Sequence, residues 1–406
     1  MSDERVRTKG LLDYLNSQPP LSSSTHSNIF TPVIKVLHIA KWFPSPQDEQ
    51  LGVFVEKHVR SAMALVDTCV LHLCPGDYET MRIVDEERNG LRVVRVEYPS
   101  DRNLVYKMCR LSQTIGKACK IIEKSFGTPD IVHAHTLAQP AIVARRRYSD
   151  TPIVLSEHWT GFVNGYYEQL SGWRKKAFLR AEKMCLLTTT PSPFLANAMK
   201  NYGFQGPFVT LPNVIEAGKP QLERPPGDKI HFLTVAELHD HNKNISGTLR
   251  ALSQLSFEIK FDVIGEGEDR IELEDLTEEL GLKEHVNFLG RHSNPEVLEK
   301  LGQVDCLIVN SRFETFSMIT AEALASGTPV IATRCGGPEQ FVNENNGILI
   351  EKDDQKQLVA ALIRLPEVLG RIDREAIHNE FKSRFSPAAV GQQLVDIYQQ
   401  IIAQRQ

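Results

Sequence analysis

Short apolar runs rich in β-branched residues alternate with helical stretches along most of the chain. A first series of runs occupies residues 33–40, 68–74, 91–98, 130–135, 152–157 and 186–190. After a break the same rhythm restarts, with runs at 229–238, 257–265, 285–290, 305–310 and 328–333. Alternating strands and helices are typical of a mostly parallel sheet with helices on both faces. The pattern therefore predicts two α/β, doubly wound, Rossmann-like domains.

The break between the two series lies at residues 211–228, which contain four prolines and no apolar periodicity. This composition predicts a linker. We therefore expect an N-terminal domain over 33–214, a C-terminal domain over 215–385, and a final helix over 386–406 that packs back on the N-terminal domain. Residues 1–32, rich in Ser, Pro and Asn, are predicted to be a disordered tail. Two such domains facing each other would form a cleft, with ligands near the carboxyl ends of the strands.

The composition, with 41% hydrophobic and 24% charged residues over 406 positions, is that of an ordinary globular protein of two domains. The seven cysteines are scattered without a Cys-x-x-Cys pair. This argues against a disulfide framework or zinc cluster and favours a reducing cytoplasm. No apolar signal segment follows the amino terminus, and no run approaches the ~18 apolar residues of a membrane-spanning helix. Any membrane contact is therefore expected to be peripheral, on the inner face of the plasma membrane.

Charge is distributed unevenly between the two halves. Residues 34–215 carry 23 Lys and Arg against 17 Asp and Glu, whereas residues 216–406 carry 20 against 31. The basic surplus gathers at 106–127 and 172–187, which have the pattern of amphipathic basic helices. Such helices can lie on an anionic membrane, although a solvated helix face explains them equally well. Nucleic acid is not expected as a partner, because the net charge is −5 and no nucleic-acid motif occurs.

The most informative segment is residues 305–340, DCLIVNSRFETFSMITAEALASGTPVIATRCGGPEQ. A strand pattern, a polar corner, a helical pattern over about 317–326 and a second strand pattern follow one another. The helix is apolar almost all round, yet Glu322 lies on it, and Glu314 stands in the corner before it. A buried carboxylate without a partner is costly, so something must hydrogen-bond Glu322.

Two interpretations of these carboxylates are open. Unpaired N–H groups and the positive dipole end at the helix N-terminus suit an anion such as a diphosphate. Glu322 could then accept hydrogen bonds from the hydroxyls of a ribose, and Glu314 would face whatever extends past the phosphates. Alternatively, both glutamates pair with basic side chains of the protein.

Glu314 and Glu322 form an E-x7-E motif, whose spacing alone is weak evidence. Here it lies in a Ser-x-x-Glu-x-Phe corner, followed by Glu-Ala-Leu-Ala-Ser-Gly, a strand and Gly336-Gly337. In this context the segment resembles the family-4 retaining glycosyltransferases of GT-B fold. The resemblance extends in order over about 34–400, through DIVHAH, LSEHWTGF and VIGEGEDRIELEDL. It implies two Rossmann-like domains facing a cleft and a nucleoside diphosphate sugar as donor.

The resemblance also implies roles for residues of the C-terminal domain. Glu322 would bind the ribose, Glu314 would contact the sugar near the reacting carbon, and Lys243 would neutralise the diphosphate. Backbone N–H groups of the corner would bind the same diphosphate, namely those of Thr315, Phe316, Ser317 and Met318. The family often has an arginine where this chain has Glu237. Arg312 is the suggested substitute for that missing charge.

Other expected site residues lie elsewhere in the chain. The resemblance makes His158, at the end of a strand, an active-site histidine that contacts the donor sugar. It also makes Gly52 part of a loop that approaches donor phosphate and acceptor, although a lone glycine can equally mark a turn. The loop 290–294, including Arg291, is expected to help bind the donor base. His133 and His135 are expected to be structural.

No metal or other cofactor is expected, because the chain has no Asp-x-Asp and His239 and His241 lack a third ligand at regular spacing. The predicted function is transfer of a sugar, with retention, to a glycan or lipid-linked acceptor in cell-surface glycan synthesis. Two alternatives remain: a sugar-nucleotide 2-epimerase of the same fold, and a non-catalytic subunit that binds nucleotide sugars.

Overall fold

The structure, a computed structural model, describes residues 33–100, 104–137, 139–220 and 229–405, with only the backbone of residues 104–108. The chain divides into two compact units. The C-terminal unit is Ile215–Ser386, and the N-terminal unit comprises the residues up to Val214 together with the segment from Pro387 onward. The final segment therefore belongs to the unit from which it is most distant in sequence.

The N-terminal unit contains one eight-stranded sheet in the order β3-β4-β2-β1-β5-β6-β7-β8. Its elements are β1 (Lys35–Ala40), α1 (Val53–Ala62), β2 (Asp67–Gly76), β3 (Arg82–Arg88), β4 (Leu91–Pro99), α2 (Leu104–Phe126), β5 (Ile131–His135), α3 (Gln139–Arg147), β6 (Ile153–Ser156), α4 (Tyr166–Gln169), α5 (Gly172–Glu182), β7 (Leu187–Thr190), α6 (Pro193–Asn201) and β8 (Phe208–Thr210). Every strand pair is parallel except β3 with β4, which is antiparallel.

The C-terminal unit contains a six-stranded parallel sheet in the order β11-β10-β9-β12-β13-β14. Its elements are β9 (Ile230–Val235), α7 (Asp240–Lys243), α8 (Ile245–Leu252), β10 (Ile259–Ile264), α9 (Arg270–Glu279), β11 (Val286–Gly290), α10 (Asn294–Gln303), β12 (Cys306–Val309), α11 (Met318–Ala325), β13 (Val330–Thr333), β14 (Gly347–Ile350), α12 (Gln355–Leu369) and α13 (Arg374–Phe385). The chain then returns to the N-terminal unit as α14 (Pro387–Ala403).

The central strands are buried on both faces, which explains their continuous apolar sequences. In β1, Leu37 and Ile39 pack into a core that includes side chains of α2 and α3, whereas Val36 faces a second core formed largely by α14. The sheet of the C-terminal unit likewise lies between two apolar cores. Among the described residues, no helix is both long and apolar enough to cross a membrane.

The sequence pattern missed three strands. In β3, charged residues interrupt the apolar pattern because it is a half-exposed edge strand. The strands β8 and β14 have only three and four residues, and each lies at an edge of its sheet. In the predicted linker, Leu211, Val214 and Ile215 are buried, and the two units divide between Val214 and Ile215. Its second part, 221–228, and the predicted tail, 1–32, lie outside the described residues.

Helix α14 is fixed to the N-terminal unit by two contacts. The hydroxyl of Tyr398 hydrogen-bonds Nδ1 of His133 at 2.6 Å. At Gly391 the backbone of α14 approaches α1 so closely that a Cβ atom would lie 2.1 Å from the carbonyl oxygen of Ser61. A side chain at this position would therefore push the two helices apart.

Gly391→Ala should lower the free energy of unfolding of the N-terminal unit by about 1–3 kcal/mol, the usual cost of overpacking. Gly172→Ala is the matched control, because a Cβ there meets no heavy atom within 4 Å. Urea unfolding followed by tryptophan fluorescence reports this unit, since Trp42, Trp159 and Trp173 all lie in it. Equal effects of the two substitutions would contradict the prediction.

Candidate functional site

The corner between β12 and α11 is fixed to the following loop by backbone contacts. The N–H of Glu314 donates to the carbonyl of Cys335 at 3.1 Å, and the N–H of Gly337 donates to the carbonyl of Glu314 at 2.7 Å. A Cβ on Gly337 would lie 2.5 Å from the carbonyl carbon of Phe316. The second glycine of the Gly-Gly pair is therefore required for this close approach.

The carboxylate of Glu314 is held by two donors. Lys243 Nζ lies 2.7 Å from Oε1 of Glu314, and the hydroxyl of Ser311 donates to the same oxygen at 2.9 Å. The side chains of Lys243 and Glu314 are 23% and 16% exposed. The structure thus brings together two of the predicted site residues, from segments about seventy positions apart, in a largely buried ion pair.

Arg312 holds the short helix α7 that carries Lys243. Its guanidinium donates to the carbonyls of Asp240 and His241 at 2.9 and 2.7 Å. It also forms an ion pair with Asp353 at 2.7 Å. The guanidinium is thus engaged within the protein, and its suggested role in place of the missing arginine at Glu237 stays a prediction. Glu237 itself is 82% exposed on its side chain.

Glu322 is buried, with 5% of its surface exposed, as its place on an apolar helix predicts. Its Oε1 accepts a hydrogen bond from the side-chain amide of Asn294 at 3.2 Å. The Oδ1 atom of Asn294 is buried and has no partner among the described residues. Asn294 lay in the loop expected to bind the base, but the sequence did not indicate this contact of its side chain with Glu322.

The N-terminus of α11 offers backbone donors to an anion. Ser317, at the N-cap, has φ 66°, a left-handed conformation that is unusual for serine, and its side chain does not cap the helix. Its hydroxyl instead lies 2.7 Å from that of Thr320. The first N–H groups of a helix lack intrahelical partners. The Phe316 ring is buried against Phe341 and Phe385, so only its backbone is available to a ligand.

The other predicted donor-binding positions of this unit are less constrained. Met318 begins α11 and is partly exposed, while Thr315 lies between Glu314 and the buried Phe316. Arg291 is exposed and follows Gly290, the last residue of β11, whose φ is 73°. The structure therefore places Arg291 on an accessible loop.

His239 lies near two carboxylates that the sequence argument overlooked. Ligand atoms of His239, Glu268 and Asp269 fall within 4.8 Å of one another, although the acidic pair is about thirty positions away in sequence. Asp269 also accepts a hydrogen bond from the N–H of Asp240 at 2.6 Å, which fixes the start of α7. His239 and Glu268 are exposed. Metal independence of the site stays a prediction.

His158 lies just beyond the end of β6 in the N-terminal unit. It is buried, and neither ring nitrogen has a hydrogen-bond partner among the described residues. Its ring centroid is 4.6 Å from that of Phe54 and 5.7 Å from that of His58. Burial, with a smaller contribution from His58, holds the pKa of His158 well below its usual value. The imidazole is therefore neutral, and both nitrogens are available for hydrogen bonds.

Gly52 precedes α1 with φ 74°. A Cβ at this position would lie 2.3 Å from the carbonyl carbon of Trp42. The fold alone therefore requires glycine here, which supports the interpretation as a turn. Its predicted role beside the donor stays untested.

His38, His133 and His135 form a buried group with ligand atoms within 4.8 Å of one another. The rings of His133 and His135 stack at 4.4 Å with 16° between their planes. Both nitrogens of His133 are engaged, with Tyr398 at 2.6 Å and Ser156 at 2.7 Å. Stacked, hydrogen-bonded rings are poorly directed toward a common ion, which agrees with the structural role expected for His133 and His135.

The N-terminal unit should lose stability as the pH falls below the ordinary histidine pKa. Burial lowers the pKa values of its buried histidines, to about 3 for His38 and His72 and in the same direction for His58, His133, His135 and His158. Below pH 6.5 the unfolded chain therefore binds more protons than the folded one, and the free energy of unfolding decreases. Each histidine that stays neutral contributes a slope of up to about 1.4 kcal/mol per pH unit.

Urea titrations followed by tryptophan fluorescence between pH 7.5 and 5.5 check this expectation. Most carboxylates titrate below about pH 5. Burial raises the pKa values of Glu157 and Glu182 in this unit, and their protonation would act in the opposite direction to that of the histidines. An unchanged unfolding midpoint across the range would show that the buried histidines are charged or accessible in the folded state.

Two family models match consecutive parts of the chain. The model described as "Glycosyltransferase Family 4" matches residues 55–219, and the one described as "Glycosyl transferases group 1" matches residues 217–379. The matches thus fall on the N-terminal and C-terminal units respectively. Glycogen synthase of Mycobacterium tuberculosis is 27% identical over 360 residues, which cover 81% of this chain and 85% of the relative.

Solved structures share the fold. Sucrose-phosphate synthase from Thermosynechococcus elongatus superposes with a TM-score of 0.73 at 18% identity, covering 91% of this chain and 100% of the other. Anabaena Alr3699/HepE, in complex with UDP and glucose, superposes with a TM-score of 0.66 at 16% identity, covering 89% and 98%. The fold of this chain is therefore GT-B, as predicted.

Proposed function

We propose that this chain moves a sugar from a nucleoside diphosphate donor to a hydroxyl of a lipid-linked or polysaccharide acceptor, with retention of configuration. Glycosyltransferase models match both units of a GT-B fold, so the chain is a glycosyltransferase. The observation that carries this proposal is the ion pair between Lys243 and Glu314 beside the N-terminus of α11. A cation, a carboxylate and the backbone N–H groups of a helix N-terminus meet at one corner, which suits transfer from a diphosphate.

In the proposed reaction the bond between the sugar and the diphosphate oxygen breaks, and the acceptor oxygen forms a new bond on the same face. The hydroxyl proton passes to the departing diphosphate. Lys243 and the N–H groups of Thr315 to Met318 would stabilise the negative charge of the leaving group. Glu314, oriented by Ser311, would accept hydrogen bonds from the sugar near its reacting carbon. In the N-terminal unit, His158 is proposed to contribute a neutral imidazole to substrate binding.

Donor recognition is proposed for Glu322 and Asn294. The unpartnered Oδ1 of Asn294 and the carboxylate beside it supply acceptors suited to the two hydroxyls of a ribose. Arg291 completes the donor-binding residues proposed for this unit. Gly52 is proposed separately, as part of a phosphate-binding loop of the N-terminal unit. Because Alr3699/HepE is described with UDP and glucose, UDP-glucose is the first donor to test.

The acceptor is proposed to be used at the cytoplasmic face of the membrane, in synthesis of a cell-surface glycan. In α5, Phe178 and Leu179 pack against the core, whereas Trp173 is 67% exposed and Arg174 stacks 5.4 Å from its ring. This exposed pair supports a peripheral contact with anionic lipid. It does not support a helix that inserts an apolar face.

Incubation with UDP-, ADP- and GDP-sugars, with and without membrane glycolipid extracts, tests the proposal. Release of the nucleoside diphosphate and labelling of the extract should both depend on the acceptor. An isomerised donor would instead identify a 2-epimerase. Donor binding without turnover would identify a non-catalytic subunit.

The two carboxylates should affect different kinetic steps. Glu322→Gln should weaken nucleoside diphosphate binding by about 10- to 100-fold, the equivalent of about 1.5–3 kcal/mol for hydrogen bonds to a charged group, with little effect on kcat. Glu314→Gln should lower kcat by about 10²–10³-fold with little effect on donor binding. Steady-state kinetics and calorimetry with the nucleoside diphosphate measure both.

Glu344→Gln serves as the control, since Glu344 is exposed outside this corner. Wild-type kinetics in both site variants would refute the assignment of the site. A loss of binding in Glu314→Gln and of turnover in Glu322→Gln would reverse the two roles.

A further inference from the structure

The N-terminal unit contains a cavity of about 650 Å³ that the proposed donor site does not use. At its inner end are Lys41, Leu137 and Glu157, which lie just beyond the carboxyl ends of β1, β5 and β6. Ligands of open α/β sheets bind at these strand ends. The volume is within the range of about 300–1,000 Å³ that encloses small organic ligands.

The walls of the cavity are apolar and come from three helices. Side chains of α2, α3 and α5 face it, including Leu111, Ile115, Ile142, Val143, Ala177 and Phe178. All three tryptophans of the chain, Trp42, Trp159 and Trp173, also line it. Such a lining binds hydrocarbon well.

Positive charge accompanies this apolar wall. Lys41, Arg146, Arg147 and Arg174 all line the cavity, and none of them forms an ion pair with a carboxylate in the described part of the chain. Glu157 also lines the cavity, and its carboxylate accepts the backbone N–H groups of Leu137, His158 and Trp159 at 2.8–2.9 Å rather than forming an ion pair with one of these cations. Burial also lowers the pKa of Lys41, which a bound anion would counteract.

We propose that this cavity binds the lipid end of a phosphate-bearing acceptor, with hydrocarbon between α2, α3 and α5 and the phosphate against Lys41 and the arginines. That the bound molecule is an acceptor rests on the proposed function, whereas its binding to apolar and cationic side chains does not. A neutral glycan would leave the unpaired cations unused, and a soluble phosphate would leave the apolar wall exposed to water. An anionic amphiphile satisfies both parts of the cavity.

Titration of the full chain with n-alkyl phosphates of six to twelve carbons, below their micelle concentrations, tests this proposal. Tryptophan fluorescence and calorimetry should both report binding, and the affinity should rise by about fourfold per added methylene until the cavity is filled. Inorganic phosphate and n-alkyl glucosides of equal chain length should each bind at least tenfold more weakly.

Arg146→Gln should reduce the affinity for decyl phosphate about tenfold and leave that for decyl glucoside unchanged. Arg145→Gln is the matched control on the same helix, since Arg145 lies outside the cavity and donates to the carbonyl of Ser149. Ala177→Phe fills part of the cavity, so the affinity should stop rising at a shorter chain length.

Equal affinity for phosphates and glucosides, or no dependence on chain length by either method, would overturn the proposal. Binding to anionic vesicles without binding of monomeric alkyl phosphates would also overturn it and indicate a surface contact instead. Donor binding at Glu322 is measured separately with nucleoside diphosphates. If the chain binds nucleoside diphosphates but not alkyl phosphates, the proposed function stands and the proposed lipid-phosphate site is wrong.

Discussion

The ion pair of Lys243 with Glu314 depends on two loops being fixed against each other at one end of the C-terminal sheet. Arg312 and Asp269 hold the short helix that carries the lysine. Backbone bonds to Cys335 and Gly337 hold the corner that carries the glutamate. The largely buried pair would be costly to break one partner at a time, so both loops must be in place before the site exists.

The fold could be predicted largely because parallel strands buried on both faces appear in the sequence as continuous apolar runs separated by helical stretches. The strand β3 escaped because an edge strand tolerates charge on its exposed side. At the site, the apolar helix around Glu322 predicted its burial. It could not predict Asn294, because a contact between residues 28 positions apart leaves no periodic trace. The contacts of Arg312 with Asp240 and His241 were not predicted for a related reason, since these residues become neighbours only when β9 and β12 pair.

The two units bury titratable groups in different ways. In the C-terminal corner, the carboxylates of Glu314 and Glu322 accept hydrogen bonds from Lys243 and Asn294, so charge is kept where the proposed chemistry needs it. In the N-terminal unit, desolvation removes the charge of the stacked histidines, whereas Arg95 and Glu97 stay buried as an ion pair. The histidine cluster is thus suited to uncharged groups, and the positive charge of this unit lies instead along the cavity.

The return of α14 to the first unit has a consequence for synthesis of the protein. The strands β1 and β5 are made before the C-terminal unit, but the helix that covers one face of them is made after it. At roughly 5–20 residues per second, synthesis of the intervening Ile215–Ser386 takes about 10–30 seconds. During that interval α14 cannot cover Val36, Ile131 and their neighbours. The first unit can therefore complete this core only after the second unit has been made.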